Sequence, residues 1–222
     1  MVIVMLEKYL DFNETILKEY LKKYEYHWGL LKDLNDIILE IGNNLDLNNY
    51  NKIEDNIWIH KTANIDDRCK IIGPCIIGEN SEIRFNAFIR GKVIIGNNCV
   101  VGNSTEIKNS ILFNEAKVPH FNYVGDSILG YKSHFGAGVI TSNMKSDKSN
   151  ITVIMNDKKY DTNRNKLGSL IGDYVEIGCN SVLNPGTIIG KNTTIYPLSM
   201  VRKEIKEKVI LKNDGTIVNK EL

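Results

Sequence analysis

The chain has little proline, little cysteine and no long apolar run. Four prolines and four cysteines in 222 residues fit neither a proline-rich extended chain nor a disulfide-rich scaffold. The apolar opening, residues 2–6, is too short for a signal peptide or a membrane span. Because no CxxC pair occurs, we predict neither a disulfide nor a cysteine metal site. We therefore expect a cytoplasmic protein without a membrane partner.

Neither sign of charge is in excess. The chain has 28 lysines and arginines against 27 aspartates and glutamates, a formal net charge of +1. This balance gives no global argument for binding to nucleic acid or to an anionic membrane. The length allows one domain, or one domain with an appendage.

What the sequence does contain is a strict period of six. From position 53 to 107 every sixth residue is β-branched and aliphatic. These residues are Ile53, Ile59, Ile65, Ile71, Ile77, Ile83, Ile89, Ile95, Val101 and Ile107. A helix has a period near 3.6 and a half-buried strand a period of two, so a period of six indicates a structural repeat.

We interpret each six-residue unit as a short strand followed by a tight turn. The large aliphatic residue fills the interior, and a small residue two positions earlier fits where the turn folds inward. Cys69, Cys75 and Cys99 occupy this small position, which predicts buried thiols. Gly78, Gly96 and Gly102 are expected to take the strained turn angle. Three units close a triangular coil, and about seven coils stack by parallel strand pairing.

The repeat divides the chain into three parts. Residues 1–52 have a helical period, with a start at Asn13, a division at Gly29 and a stop at Gly42, followed by a linker. They form either a cover over the open edge of the first coil or a docking element for another subunit. Residues 53–205 form the β-helix, and residues 206–222 a C-terminal cap. Within the β-helix, residues 143–167 abandon the repeat. They predict a projecting arm with a hairpin turn at Asn156, packed against a neighbouring subunit.

The period shortens to five residues twice, from Ile107 to Leu112 and from Val124 to Leu129. Irregular units in a repeat often mark functional sites, because a perfect prism has no pocket. The segment between the two short steps contains His120, whose imidazole titrates near working pH and suits a general base.

Residues 118–126 read VPHFNYVGD, and FGAG follows at 135–138 and TSN at 141–143. Together with residues 89–91 and 102–108, they closely resemble the acetyltransferase domain of the bifunctional enzyme that makes UDP-N-acetylglucosamine. They also resemble archaeal sugar-1-phosphate nucleotidyltransferase/acetyltransferases. The resemblance covers about residues 70–205. It implies a mainly β fold, a left-handed parallel β-helix, and a homotrimer. It also implies transfer of acetyl from acetyl-CoA to the amino group of an amino-sugar 1-phosphate such as glucosamine 1-phosphate.

The resemblance also assigns roles to single residues. The implied catalytic residues are His120 as general base, with Tyr123 and Asn143. The implied substrate contacts are Arg90, Lys108, Glu106 and Tyr123, and the implied acetyl-CoA contacts are Gly136 and Ala137. His134 stands where the family commonly has an asparagine, and it is a candidate contact to substrate or CoA, the alternative being a side chain that faces solvent. Lys166 on the arm is a candidate contact to the CoA phosphates, the alternative being a solvated surface charge. Arg90 and Lys108 lie eighteen residues apart, one full coil, so we expect both to reach one phosphate. No glycine-rich nucleotide loop precedes Ile53, so we do not expect uridylyl transfer from this chain.

Three other functions remain open from the sequence. The β-helix could be a non-catalytic scaffold or regulatory subunit, or an O-acetyltransferase of another sugar. A zinc hydratase would need three convergent histidines. In the repeat only His60, His120 and His134 are available, and His60 lies more than three coils from His120.

Overall fold

The computed structural model describes residues 5–53 and 56–221, so most of the apolar opening lies outside the described residues. Short strands form three sheets, which are the three faces of a parallel β-helix. The predicted mainly β fold is therefore confirmed. We number the faces in the order in which the chain visits them within one coil.

Each face is built from one strand per coil. The first face contains Tyr50–Ile53, Ile57–His60, Cys75–Ile77, Val93–Ile95, Ser110–Leu112, Ile128–Leu129, Ser169–Ile171, Thr187–Ile189 and Glu204–Ile205. The second face contains Asn64–Ile65, Glu82–Ile83, Val100–Asn103, Lys117–His120, His134–Phe135, Glu176–Ile177, Thr194–Ile195, Val209–Leu211 and Ile217–Asn219. The third face contains Lys70–Ile72, Phe88–Arg90, Glu106–Lys108, Tyr123–Gly125, Ile140–Thr141, Val182–Leu183 and Met200–Val201.

Neighbouring strands on a face run parallel except at two outer ends. On the first face Tyr50–Ile53 pairs antiparallel with Ile57–His60, and on the second face Ile217–Asn219 pairs antiparallel with Val209–Leu211. Ile53 fits the six-residue period but is 49% exposed, because it lies on the antiparallel strand before the first coil. The interior column of aliphatic side chains therefore begins at Ile59.

The turns differ from the prediction for glycine. At these three turns the left-handed backbone angle falls two residues later, with φ of 52° at Asn80, 55° at Asn98 and 55° at Ser104, rather than on Gly78, Gly96 and Gly102. Asparagine tolerates this conformation because its short polar side chain bonds locally. The glycines are needed for a different reason. A Cβ on Gly78 would lie 2.6 Å from the backbone of Gly96 in the next coil, so glycine lets the coils stack closely.

The helices of the N-terminal segment cover a side face of the β-helix, whereas the strand Tyr50–Ile53 pairs along the outer edge of its first coil. It contains the 3-10 turns Met5–Lys8 and Phe12–Glu14 and the helices Lys18–Leu21 and His27–Asn43. The long helix ends at the predicted stop, but Gly29 lies inside it, so the predicted division there is wrong.

An apolar stripe of the long helix packs on the first face. Leu34, Ile38 and Ile41, spaced three and four residues apart, are buried on this side of the helix. Each of seven coils contributes one outward side chain that is also buried. These are Trp58, Ile76, Ile94, Ile111, Ile128, Leu170 and Ile188. The first face is therefore a second hydrophobic core, outside the interior column.

Residues 143–167 contain the predicted hairpin. Its strands are Thr152–Met155 and Lys158–Asp161, and Asn156 and Asp157 between them have φ of 47° and 61°. Two consecutive positive φ angles are typical of a two-residue hairpin turn. The prediction that the arm packs against another subunit is wrong for its apolar side. Val153 and Met155 are buried in the cluster that covers the first face of their own chain.

Glu204, on the last strand of the first face, joins three separate parts of the chain. Its Oε1 accepts hydrogen bonds from Lys8 Nζ at 2.8 Å and from the Tyr9 hydroxyl at 2.7 Å. Its Oε2 accepts one from the Asn156 backbone N–H at 2.7 Å. One carboxylate therefore joins the N-terminal segment and the hairpin to the β-helix, in addition to their packing on the first face.

We expect this carboxylate to make stability depend on acid pH. Burial opposes ionisation, but the bonds from Lys8, Asn156 and Tyr9 outweigh it and lower the pKa of Glu204 below its ordinary 4.5. Its contribution is therefore present above the unfolded pKa and is lost as pH falls through the lower folded pKa. Between about pH 5 and pH 3, the Tm of the wild type should fall more than the Tm of Glu204→Gln. Parallel Tm curves for the two proteins would contradict this.

Candidate active site

The corner between the second and third faces holds His120. The strand Lys117–His120 ends there, and Phe121 turns the chain with φ of 53°. The His120 N–H donates to Asn122 Oδ1 at 3.1 Å, and the Gly138 N–H donates to the His120 carbonyl at 3.0 Å. Asn122 Nδ2 also donates to the Gly136 carbonyl at 2.8 Å. The structure therefore places the 136–138 corner beside His120, on the next coil.

The backbone alone fixes the position of His120. A Cβ on Gly102 would lie 1.4 Å from the Pro119 carbonyl oxygen, so only glycine lets the strand before His120 pass so closely. The His120 side chain is exposed and makes no hydrogen bond to any residue the structure describes. Both ring nitrogens are available to a bound molecule.

Tyr123 and Glu106 lie beside each other on the third face, next to this corner. Asn143 Nδ2 donates to the Tyr123 hydroxyl at 3.3 Å. Burial, reinforced by the carboxylates of Asp126 and Glu106, raises the pKa of Tyr123. The phenol therefore stays protonated at neutral pH and is able to donate a hydrogen bond to a bound molecule.

Arg90 and Lys108 lie at the opposite edge of the third face, where it turns into the first. Both line one cavity of about 850 Å³. That both reach one phosphate, as we expect from their one-coil spacing, stays a prediction. Each also has a carboxylate partner that the sequence did not reveal. Arg90 Nη1 lies 2.5 Å from Glu106 Oε1, and Lys108 Nζ lies 3.4 Å from Asp126 Oδ2. The hydrogen bond to Glu106 raises the pKa of Arg90, so its charge is permanent.

Asp126 is the site residue that sequence reasoning missed. It is 3% exposed, and it accepts hydrogen bonds from Asn109 Nδ2 at 2.7 Å and from Asn143 Nδ2 at 2.5 Å. It therefore orients Asn143 and Lys108 together. In the sequence, Asp126 could have been found from its position at the end of the 118–126 block. The two five-residue steps of the repeat turn at Asn109 and Asp126, both with positive φ and both lining the cavity.

The structure does not bring all the predicted residues together within this chain. His134 lies on the second face, and its Nδ1 is 2.8 Å from Glu176 Oε2. Its predicted substrate contact is therefore not supported by proximity to Arg90 and Lys108. The predicted acetyl-CoA contacts are divided, since Gly136 is at the His120 corner whereas Lys166 lines the cavity at the other edge.

The four cysteine thiols differ in burial. Burial raises the pKa of Cys75 and of Cys99 to about 12, Cys69 is partly buried, and Cys179 is exposed; all four are free.

Within residues 5–53 and 56–221 no group of three or more histidine, cysteine or carboxylate side chains could hold a metal ion. None of the described helices is both long and apolar enough to cross a bilayer.

The family models match the repeat region. The GMPPB C-terminal domain model matches residues 71–163, and the bacterial transferase hexapeptide model, with six repeats, matches residues 168–203. The chain is a hexapeptide-repeat protein.

Relatives of this hexapeptide-repeat protein are longer chains. The bifunctional sugar-1-phosphate nucleotidylyltransferase/acetyltransferase of Sulfurisphaera tokodaii is 33% identical over 203 residues, which are 82% of this chain and 48% of that protein. The bifunctional protein GlmU of Methanococcus vannielii is 36% identical over 135 residues, 60% of this chain and 32% of that protein. The chain thus spans about half or less of the length of these relatives. A solved structure of AntD, an N-acyltransferase from Bacillus cereus, aligns over 75% of this chain and 81% of that chain. Its identity is 20% and its TM-score 0.42.

Proposed function

We propose that this hexapeptide-repeat protein transfers acetyl from acetyl-CoA to the amino group of an amino sugar that carries a phosphate at C1, such as glucosamine 1-phosphate. The observation that carries the proposal is the arrangement across the third face. The imidazole of His120 lies at one edge, the cations Arg90 and Lys108 lie at the other, and Tyr123 lies between them. A three-residue strand is about 10 Å long, a span that a sugar ring and its phosphate bridge when side chains reach in from both edges.

In this proposal His120 takes a proton from the sugar ammonium, and the freed amine attacks the thioester carbon. A C–N bond forms, the C–S bond breaks, and CoA leaves as a thiolate that takes up the second proton released from the nitrogen. The backbone at Gly136 and Ala137 contacts the thioester in this proposal, which the closeness of this corner to His120 supports. Tyr123 and Asn143 hold the sugar by hydrogen bonds.

The names of the relatives support the reaction class. The Sulfurisphaera protein is named both a nucleotidylyltransferase and an acetyltransferase of sugar 1-phosphates, and this chain aligns with about half of it. Because the aligned residues here form hexapeptide repeats of the bacterial transferase type, the acetyltransferase activity is the one proposed.

An acceptor series with acetyl-CoA tests the proposal. Thiol release should be fast with glucosamine 1-phosphate and slow with glucosamine, which lacks the phosphate. Equal turnover with glucose 1-phosphate, which offers only hydroxyls, would favour O-acetyl transfer. No turnover with any acceptor would favour a scaffold or regulatory subunit.

We also expect a homotrimer. The first face is covered by its own chain, so a neighbouring subunit must use the second or third face. The third face has an outward apolar row, Ile140, Val182 and Met200, in register on successive coils and 36–65% exposed. Sedimentation should show a trimer. Met200→Glu should weaken the trimer, whereas Ile217→Glu, at an exposed end strand, should not. A stable wild-type monomer at working concentration would contradict this.

A further inference from the structure

The cavity at the edge of the third face is larger than one sugar phosphate requires. Three separate elements line it: the coil corners at Arg90 and Lys108, the long helix through Lys32, and the insertion through Lys148 and Lys166. Its volume of about 850 Å³ is near the upper end of the range of about 300–1,000 Å³ for sites that enclose drug-sized ligands. A sugar monophosphate alone would leave much of it empty.

The charge of the cavity lining also exceeds what one phosphate requires. Seven cations line it against a single carboxylate, Asp126, in a chain whose net charge is +1. Arg90 and Lys108 already have carboxylate partners. The other five cations have no ion pair among the residues that the structure describes. These are Lys32, Lys92, Lys148, Arg164 and Lys166. Like charges gathered without counter-charges repel each other, so the cluster indicates an anion with more than one phosphate.

Asn109 adds an independent polar feature to the same cavity. Its Nδ2 donates to Asp126 at 2.7 Å, but its buried Oδ1 has no hydrogen-bond partner in the described part of the chain. Asn109 is 8% exposed and lines the cavity. A buried acceptor without a donor is unfavourable until a ligand or an ordered water satisfies it. A sugar or ribose hydroxyl beside the phosphates would donate to this oxygen.

We propose that this cavity binds a nucleoside diphosphate moiety that is part of the acceptor, so that the amino sugar is presented as a nucleotide-linked sugar. This inference rests on the proposed acetyl transfer. Arg90 and Lys108, which we assign to the phosphate at C1 of the sugar, line the same cavity as the five unpaired cations. The second phosphate and the nucleoside therefore extend from the first phosphate toward Lys148, Lys166 and the long helix.

Binding measurements on the full chain test the site without depending on turnover. By calorimetry UDP should bind more tightly than UMP, and UMP more tightly than inorganic phosphate. The double variant Lys148→Ala/Lys166→Ala should raise the Kd of UDP roughly tenfold or more. The matched control is Lys158→Ala/Lys159→Ala, since both lysines are exposed on the same insertion but outside the cavity lining. UDP binding no tighter than that of phosphate, or unchanged in the first double variant, would overturn the proposal.

Kinetics identify which reactant carries the nucleotide. UDP-glucosamine should have a lower KM than glucosamine 1-phosphate, and the Lys148→Ala/Lys166→Ala change should remove this advantage without altering the KM of acetyl-CoA. A rise confined to the KM of acetyl-CoA would assign the cavity to the donor and overturn the proposal. If no amino sugar is acetylated but UDP-glucosamine binds as tightly as UDP and loses affinity in the variant, the proposed function fails while the nucleotide-sugar site stands.

Discussion

His120→Ala is expected to lower kcat for acetyl transfer by about 10²–10⁴-fold, the usual contribution of a positioned general base. The fold should remain intact, because the side chain is exposed and makes no hydrogen bond to the described residues. The backbone bonds that hold the corner, from His120 to Asn122 and from Gly138 to His120, survive the substitution. Thiol-release kinetics and a thermal melt of the same preparation measure both effects.

His60→Ala is the matched control for this experiment. His60 is also a repeat histidine at the end of a strand, but it lies on the first coil, where its Nδ1 is 2.9 Å from the Thr62 hydroxyl. Its replacement should leave kcat unchanged. Near-wild-type turnover in a normally melting His120→Ala protein would show that the base assignment is wrong.

The interior column was predictable because a period of six determines which side chains point inward. The covered first face was also visible in the sequence, although the interpretation of the repeat did not use it. In successive coils the inward aliphatic residue is preceded by a second one, as in Ile76–Ile77, Ile94–Ile95 and Ile188–Ile189. Two adjacent strand residues point to opposite sides, so an apolar pair predicts burial on both. Ile53 shows what the period cannot predict. It fits the period of six, but the period does not reveal that its strand runs antiparallel to the next one.

The candidate site was predictable where one coil separates its members. Arg90 and Lys108 line one cavity because eighteen residues return the chain to the same edge. The same arithmetic would have placed His134 on the second face, since it lies one short coil, seventeen residues, after Lys117 and pairs with it. The cations that reach the cavity from outside the repeat were not predictable in this way. Lys32 reaches the cavity from a helix packed across the first face, and that contact depends on tertiary packing rather than on spacing in the repeat.

Arg90→Ala and Lys108→Ala are each expected to raise the KM of glucosamine 1-phosphate by roughly tenfold or more, because a charge-assisted contact to phosphate contributes about 1.5–3 kcal/mol. The KM of acetyl-CoA should barely change. If the two contacts act independently, the double variant should raise the acceptor KM about a hundredfold. Steady-state kinetics with each substrate varied in turn measure both constants.

Arg84→Ala is the control that separates a phosphate contact from the loss of an ion pair. Arg84 pairs with Glu82 at 3.0 Å, and the two side chains are 37% and 39% exposed, close to the 45% and 34% of Arg90 and Glu106. Arg84 does not line the cavity, so its loss should leave both KM values unchanged.

Free glucosamine should be a poor substrate for the wild type and hardly affected by either cavity variant, since it has no phosphate for the two cations to bind. Variants that mainly weaken acetyl-CoA, or a wild type that prefers the unphosphorylated sugar, would refute the phosphate role and with it the proposed substrate class.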